Sequence, residues 1–192
     1  MARRKRLAVP GLIVIAALLL LGPACSKSEP AIRETVPAGP TGTEPVQLVE
    51  RAYADLGFAL SVPASWQEYR RVVEEGRNAV LNFDPATGTQ ARPRHAVDVI
   101  PEVGAITDVR QGVEQVFSQR FKQYQKVRIV DGLTVGGRAA FLHEFLAEGL
   151  RYDQYWIERT GGSFRVTFWA PIEDFPAAGA LNDQMIATFR QT

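Results

Sequence analysis

The chain has 192 residues, 46% of them hydrophobic, with 22 Lys and Arg against 21 Asp and Glu and a single cysteine. So even a charge balance lacks the basic footprint with which a nucleic-acid binder neutralises phosphates, and one thiol excludes an intrachain disulfide framework or a thiolate metal cluster. The charges are unevenly placed: Arg3, Arg4, Lys5 and Arg6 stand at the start, leaving residues 25–192 with 18 basic and 21 acidic side chains, a net charge of −3.

Those four cations precede an uncharged apolar run from Leu7 to Leu21, 15 residues long. That is short of the roughly 20 residues a membrane-spanning helix needs and matches the apolar region of a signal peptide. Leu21-Gly22-Pro23-Ala24-Cys25 resembles a bacterial lipobox, in which a small residue precedes a cysteine that is lipidated and becomes the new N-terminus. Ala24 and Cys25 follow that pattern; Gly22 and Pro23 depart from it. The resemblance implies a signal peptide over residues 1–24, fatty acylation (palmitate included) at Cys25, and a lipoprotein held on the extracytoplasmic side of a bacterial cell envelope. The periplasm-facing outer membrane and the plasma membrane are both compatible with this. An uncleaved signal anchor and an ordinary secreted protein are the alternatives. Pro30, Pro37, Pro40 and Pro45 with Gly39 and Gly42 then predict a flexible tether over residues 25–45.

Residues 46–192 are enough for one domain. Phe58 to Val62 alternates like a strand after a turn at Gly57, with Trp66 expected as a lid on the core. Arg77 to Phe83 and Ala96 to Ile100 read as further strands around a loop rich in Pro and Gly. Thr107 or Asp108 is the expected cap of a helix whose apolar face is Val109, Val113, Val116, Phe117, Phe121 and Tyr124. The period then changes to 2. Lys126 to Val135, Arg138 to Leu146, Leu150 to Arg159 and Phe164 to Trp169 are predicted strands, joined through Gly136-Gly137, Ala147-Glu148-Gly149 and Gly161-Gly162. Connections this short join only antiparallel neighbours, which gives a four-stranded meander. A second helix is expected to enter at Pro171, with Glu173 and Asp174 in its first turn and Leu181, Met185, Ile186 and Phe189 on one face. The predicted class is α+β: an antiparallel β-sheet with a C-terminal four-stranded meander, flanked by two main helices.

Gly57-Phe58 through Val62-Pro63, Trp66, the Gly136-Gly137-Arg138-Ala139 hairpin, Phe168-Trp169-Ala170-Pro171 and the closing Ile186 to Arg190 resemble a PsbP-like domain. That group includes the photosystem II extrinsic protein PsbP and the DcrB-type bacterial lipoproteins. The resemblance spans residues 46–192 and implies an α/β/α sandwich serving mainly as a non-enzymatic binding or assembly module. It implies no shared catalytic residue.

The residues themselves point the same way. His95 and His143 are the only histidines, with Asp98 and Glu144 as their nearest acidic neighbours in sequence. Adjacent strand residues point to opposite faces, so His143 and Glu144 cannot share an ion. A partly buried histidine beside Phe141 and Phe145 is expected, and no metal or cofactor. Ser61, Ser65, Ser118 and Ser163 lie in no nucleophile elbow, and the glycine pairs lead into no helix as a phosphate loop must. No catalytic residue is assigned and no enzyme is expected.

Aromatics carry the binding expectation. Tyr152, Gln154, Trp156 and Glu158 share one strand face, while Asp153, Tyr155 and Ile157 share the other. One set packs under a helix. The other is core too, or else joins Arg165 and Trp169 in an exposed patch of the kind enriched at protein interfaces, which makes Trp156, Arg165 and Trp169 candidate partner-binding residues. The expected partner is another envelope protein, the expected role assembly or binding. The alternative is a carrier holding a lipid or small apolar molecule between the sheet and the 107–124 helix. A hydrolase or metal-dependent enzyme would require a deep cleft uniting His95 or His143 with acidic residues.

Overall fold

In the computed structural model the described residues are 46–73 and 76–192, so the expected signal peptide, Cys25 and the tether lie outside them. The chain order is β1 (Leu48–Tyr53), β2 (Phe58–Pro63), β3 (Gln67–Val72), β4 (Asn78–Phe83), β5 (Ala96–Glu102), α1 (Ile106–Arg120), β6 (Gln125–Val135), β7 (Arg138–Ala147), β8 (Leu150–Arg159), β9 (Gly162–Pro171), a 3₁₀ turn (Ile172–Asp174), α2 (Phe175–Ala187) and β10 (Arg190–Gln191). Seven strands form one antiparallel sheet in the order β3-β4-β5-β9-β8-β7-β6; β1-β2-β10 form a small second sheet. The class is α+β with an antiparallel sheet, as predicted.

The meander β6–β9 follows from its turns. Gly136 and Gly137 both hold positive φ, +56° and +75°, the combination a two-residue hairpin connection requires. Hydrogen-bonded neighbours β5 and β9 are separated in sequence by α1 and the first three strands of the meander, β6–β8. The chain therefore has to pass from β5 to the far edge before returning, and α1 makes that passage across one face.

Alternation along the strands divides the apolar residues between two faces. Phe58, Leu60, Tyr155, Ile157, Phe164, Phe168, Met185 and Phe189 fill the larger core, between the seven-stranded sheet and a layer made of the small sheet and α2. Each such side chain contributes roughly 1.5–3 kcal/mol on burial. On the opposite face Val113 and Phe117 of α1 pack on Phe141, Phe145, Tyr152 and Trp156. All four apolar clusters fall between Leu48 and Phe189, and they belong to one compact unit. The described residues thus carry all four apolar clusters within one compact unit, which is what a domain able to fold alone requires. No helix among the described residues is long and apolar enough to cross a membrane.

Several expectations shift. α1 starts at Ile106, after Ala105, whose extended backbone accepts the first helical bonds from Asp108 and Val109. Thr107 and Asp108 are therefore inside the first turn and not its cap. The helix stops at Arg120; Phe121 is extended, yet it and Tyr124 still reach the predicted cluster, while Val116 is exposed. Pro171 ends β9, and Pro176 supplies the proline of the first turn of α2. Three strands were not anticipated: Leu48–Tyr53, the polar edge strand Gln67–Val72, and Arg190–Gln191, which pairs with Ala59 and Phe58.

Candidate functional site

Because α1 packs on the β7–β8 side of its face, the sheet from β3 to β9 is left unroofed, and a cavity of about 1070 Å³ opens between them. Alternation places Phe145, Tyr152 and Trp156 on its floor at the meander end, under Phe117 and Phe121. Toward the other edge the floor becomes polar: Thr167 and Arg165 from β9, Asp98 and Glu102 from β5, Arg71 from β3. The segment 91–94 forms a rim there, held by Trp169, whose indole Nε1 donates to the Pro93 carbonyl at 2.9 Å.

Two carboxylates, buried Asp98 and half-buried Glu102, organise the polar end. Arg71 donates to Asp98 Oδ2 at 2.7 Å, while Asp98 Oδ1 and Arg71 Nε, both buried, have no hydrogen-bond partner. Asp98 is only 6% exposed; burial pushes its pKa up against the opposing pull of Arg71 and Arg165. Glu102 is paired with Arg77 and, at 3.2 Å, with Arg165. Arg165 also lies over Trp156, 5.6 Å from its ring centroid. Burial pushes its pKa down to about 10, which leaves it cationic at neutral pH. Next to it Trp156 donates to Gln154 Oε1 at 2.8 Å and Gln154 donates to Thr167 Oγ1 at 3.2 Å, so the middle of the floor is a closed polar chain.

The structure brings Trp156, Arg165 and Trp169 together, in register through the pairs Trp156–Arg165 and Tyr152–Trp169. They form a cavity wall, not an exposed patch: Trp156 is 5% exposed. Arg71, Asp98, Glu102 and Arg120, which complete the polar end, were not singled out as binding residues. Arg71 sits on a strand with no apolar alternation, and in the sequence Asp98 stands out only as a neighbour of His95.

The histidines are elsewhere. His143 is fully buried under α1, stacked on Phe145 at 4.8 Å and hydrogen-bonded to Tyr124 Oη at 2.8 Å; burial pushes its pKa down to about 4. His95 packs edge-on against Trp66, with centroids 4.8 Å apart, and burial lowers its pKa too. Neither lines the cavity, and Asp98 bonds Arg71 instead of joining His95. Among the described residues no group of three or more His, Cys, Asp or Glu could hold a metal ion.

On the other face Glu144 and Asp153 are direct cross-strand neighbours. Arg128 grips Glu144 with two bonds of 2.8 and 2.7 Å and Arg151 adds a third at 3.1 Å. Asp153, 6% exposed, has Arg151 Nε only at 3.7 Å. Burial, then the Glu144 charge, pushes its pKa up to about 7.

No protein-family model and no curated protein matches this sequence. Solved structures do. The solution structure of CyanoP, the cyanobacterial PsbP of Synechocystis sp. PCC 6803, superposes with a TM-score of 0.57 at 14% identity, covering 81% of this chain and 98% of CyanoP. The fold is PsbP-like. PA94 from Pseudomonas aeruginosa, a protein of unknown function, is similar at 17% identity with a TM-score of 0.50, covering 73% of this chain and 94% of PA94. At these identities what the two neighbours share with this chain is the fold, and no residue role passes from them to the cavity.

Proposed function

We propose that this protein is a lipid-anchored, extracytoplasmic, non-enzymatic binding module, and that its binding site is the cavity between α1 and the sheet. The cavity carries the reading: its volume of about 1070 Å³ is that of a small-molecule site, and such sites are largely apolar with a few placed polar groups. The side chains expected to meet a protein partner, Trp156 and Arg165 above all, line its interior, which favours a small ligand over an envelope protein as the occupant. The charged and apolar pattern before Cys25 supports the anchor and the location. Native mass spectrometry of residues 46–192 tests the reading. A copurifying mass, lost on Trp156→Ala, is expected; a bare domain, together with in-cell crosslinks from the cavity rim to an envelope protein, would overturn it.

A further inference from the structure

The two ends of the cavity differ in chemistry, and the difference specifies an occupant. Sheet order runs β3, β4, β5, β9, β8, β7, so the floor passes from Arg71 through Asp98 and Arg165 to Trp156, Tyr152 and Phe145. One end is charged and the other aromatic, a few strand spacings of about 4.8 Å apart. Among the described residues that line the cavity, Arg71, Arg77, Arg92, Arg94, Arg120 and Arg165 outnumber the carboxylates Asp98, Glu102, Asp108 and Glu148 by two. Asp98 Oδ1 and Arg71 Nε, on the two residues of one ion pair, leave one acceptor and one donor unmet in a buried place. Such groups are costly unless something bonds them.

Resting on the reading of this cavity as the binding site, we propose that its occupant is an anionic amphiphile. Its oxygen-rich acidic head, a phosphate or carboxylate, meets Arg71 and Arg165, and its apolar tail lies along Phe121, Trp169 and the edges of Trp156 and Tyr152 that reach the cavity beside α1. Guanidinium groups are the preferred partners of such heads because their fixed N–H fork matches the oxygens. The P–OH of a monoanionic phosphate head, or a hydroxyl neighbouring a carboxylate head, donates to Asp98 Oδ1. The tail removes from water the apolar surface that Val116, Phe121 and Trp169 leave open along the cavity.

Dodecyl phosphate below its micelle concentration, dodecanol and inorganic phosphate are the probes, titrated into residues 46–192 by calorimetry and by tryptophan fluorescence. Dodecyl phosphate is expected to bind with one-to-one stoichiometry and at least tenfold more tightly than dodecanol or inorganic phosphate. Arg165→Gln and Arg71→Gln should each remove most of the preference over dodecanol, whereas Phe117→Ala should weaken both amphiphiles alike. Equal affinity for dodecanol and dodecyl phosphate in the unmutated domain would overturn the acidic head and leave the cavity reading standing. Inorganic phosphate binding as tightly as dodecyl phosphate would overturn the tail and identify a free-anion site. Failure of every probe would sink the cavity reading itself. The probe comparison needs no variant, so a variant that misfolds does not protect the proposal.

Discussion

Asp153→Asn should stabilise this domain at neutral and alkaline pH. The substitution keeps the shape of a side chain that is 6% exposed and removes a charge facing Glu144 across the β7–β8 pair. Burial and the Glu144 charge raise the Asp153 pKa from 3.8 to about 7 in the folded protein. Between those values the native state holds the proton and the unfolded chain has released it, so stability falls as pH rises from about 4 to about 7 and levels off above. A shift of about three units at 1.36 kcal/mol each amounts to about 4 kcal/mol, the ceiling on what the amide recovers at pH 8. Arg151 does not become an orphan, because it keeps Glu144 at 3.1 Å and stacks 4.2 Å from the Phe175 ring centroid. Urea unfolding of residues 46–192 at several pH values from 4 to 8 measures the effect. The variant should gain roughly 2–4 kcal/mol at pH 8, little at pH 4, and lose the slope between. A variant less stable than its parent at pH 8, or one with an unchanged slope, would refute the reasoning.

Three further outcomes are expected. Phe145 is fully buried against the rings of Tyr152, His143 and Phe117, at 4.7, 4.8 and 5.4 Å, so Phe145→Ala should cost about 3–5 kcal/mol. Hydrogen exchange in Ile106–Arg120 should accelerate more than in β2, since the lost ring packs on Phe117 of α1. At Gly162, φ +158°, an added Cβ would sit 2.1 Å from the Glu102 carbonyl oxygen, whereas at Gly161 nothing lies within 4 Å. Gly162→Ala must part β5 from β9 and should lower Tm well beyond Gly161→Ala, whose left-handed backbone alone costs about 1–2 kcal/mol; equal effects would contradict the close approach. Cys25→Ser should abolish fatty-acid labelling and release the protein from the membrane fraction, because acyl chains contribute about 0.8 kcal/mol per buried methylene. Membrane attachment that persists without label would point to a signal anchor instead.

What could be read from the sequence is what local rules determine. The meander follows from period-2 alternation broken by glycine pairs, and α1 from apolar residues three and four apart, because both patterns are written within a dozen residues. Gln67–Val72 escapes those rules: its side chains are nearly all exposed on the sheet edge, where polar residues protect against further pairing and no alternation is required. That strand nevertheless supplies Arg71. Trp156, Arg165 and Trp169 were legible as a group, since their strands pair in register. Whether the group faces water or a cavity depends on where α1 and the 91–94 rim come to rest, and no local pattern encodes that.

The cavity itself is a consequence of topology. A helix about 10–12 Å across cannot roof a face six strand spacings wide, about 29 Å, so the crossing from β5 to β6 leaves part of the sheet bare. On the opposite face the small sheet and α2 complete the roof, and the chain answers with an apolar core from Tyr53 to Phe189. The bare part is answered differently. Arg71, Asp98, Glu102 and Arg165 stand there half-dehydrated and mutually paired, although replacing such pairs by packed apolar residues is often neutral or stabilising. Fold stability therefore gives no account of them. A ligand that completes the open bonds of Asp98 Oδ1 and Arg71 Nε would account for them, and on the proposed reading the polar end, more than the aromatic end, selects that ligand.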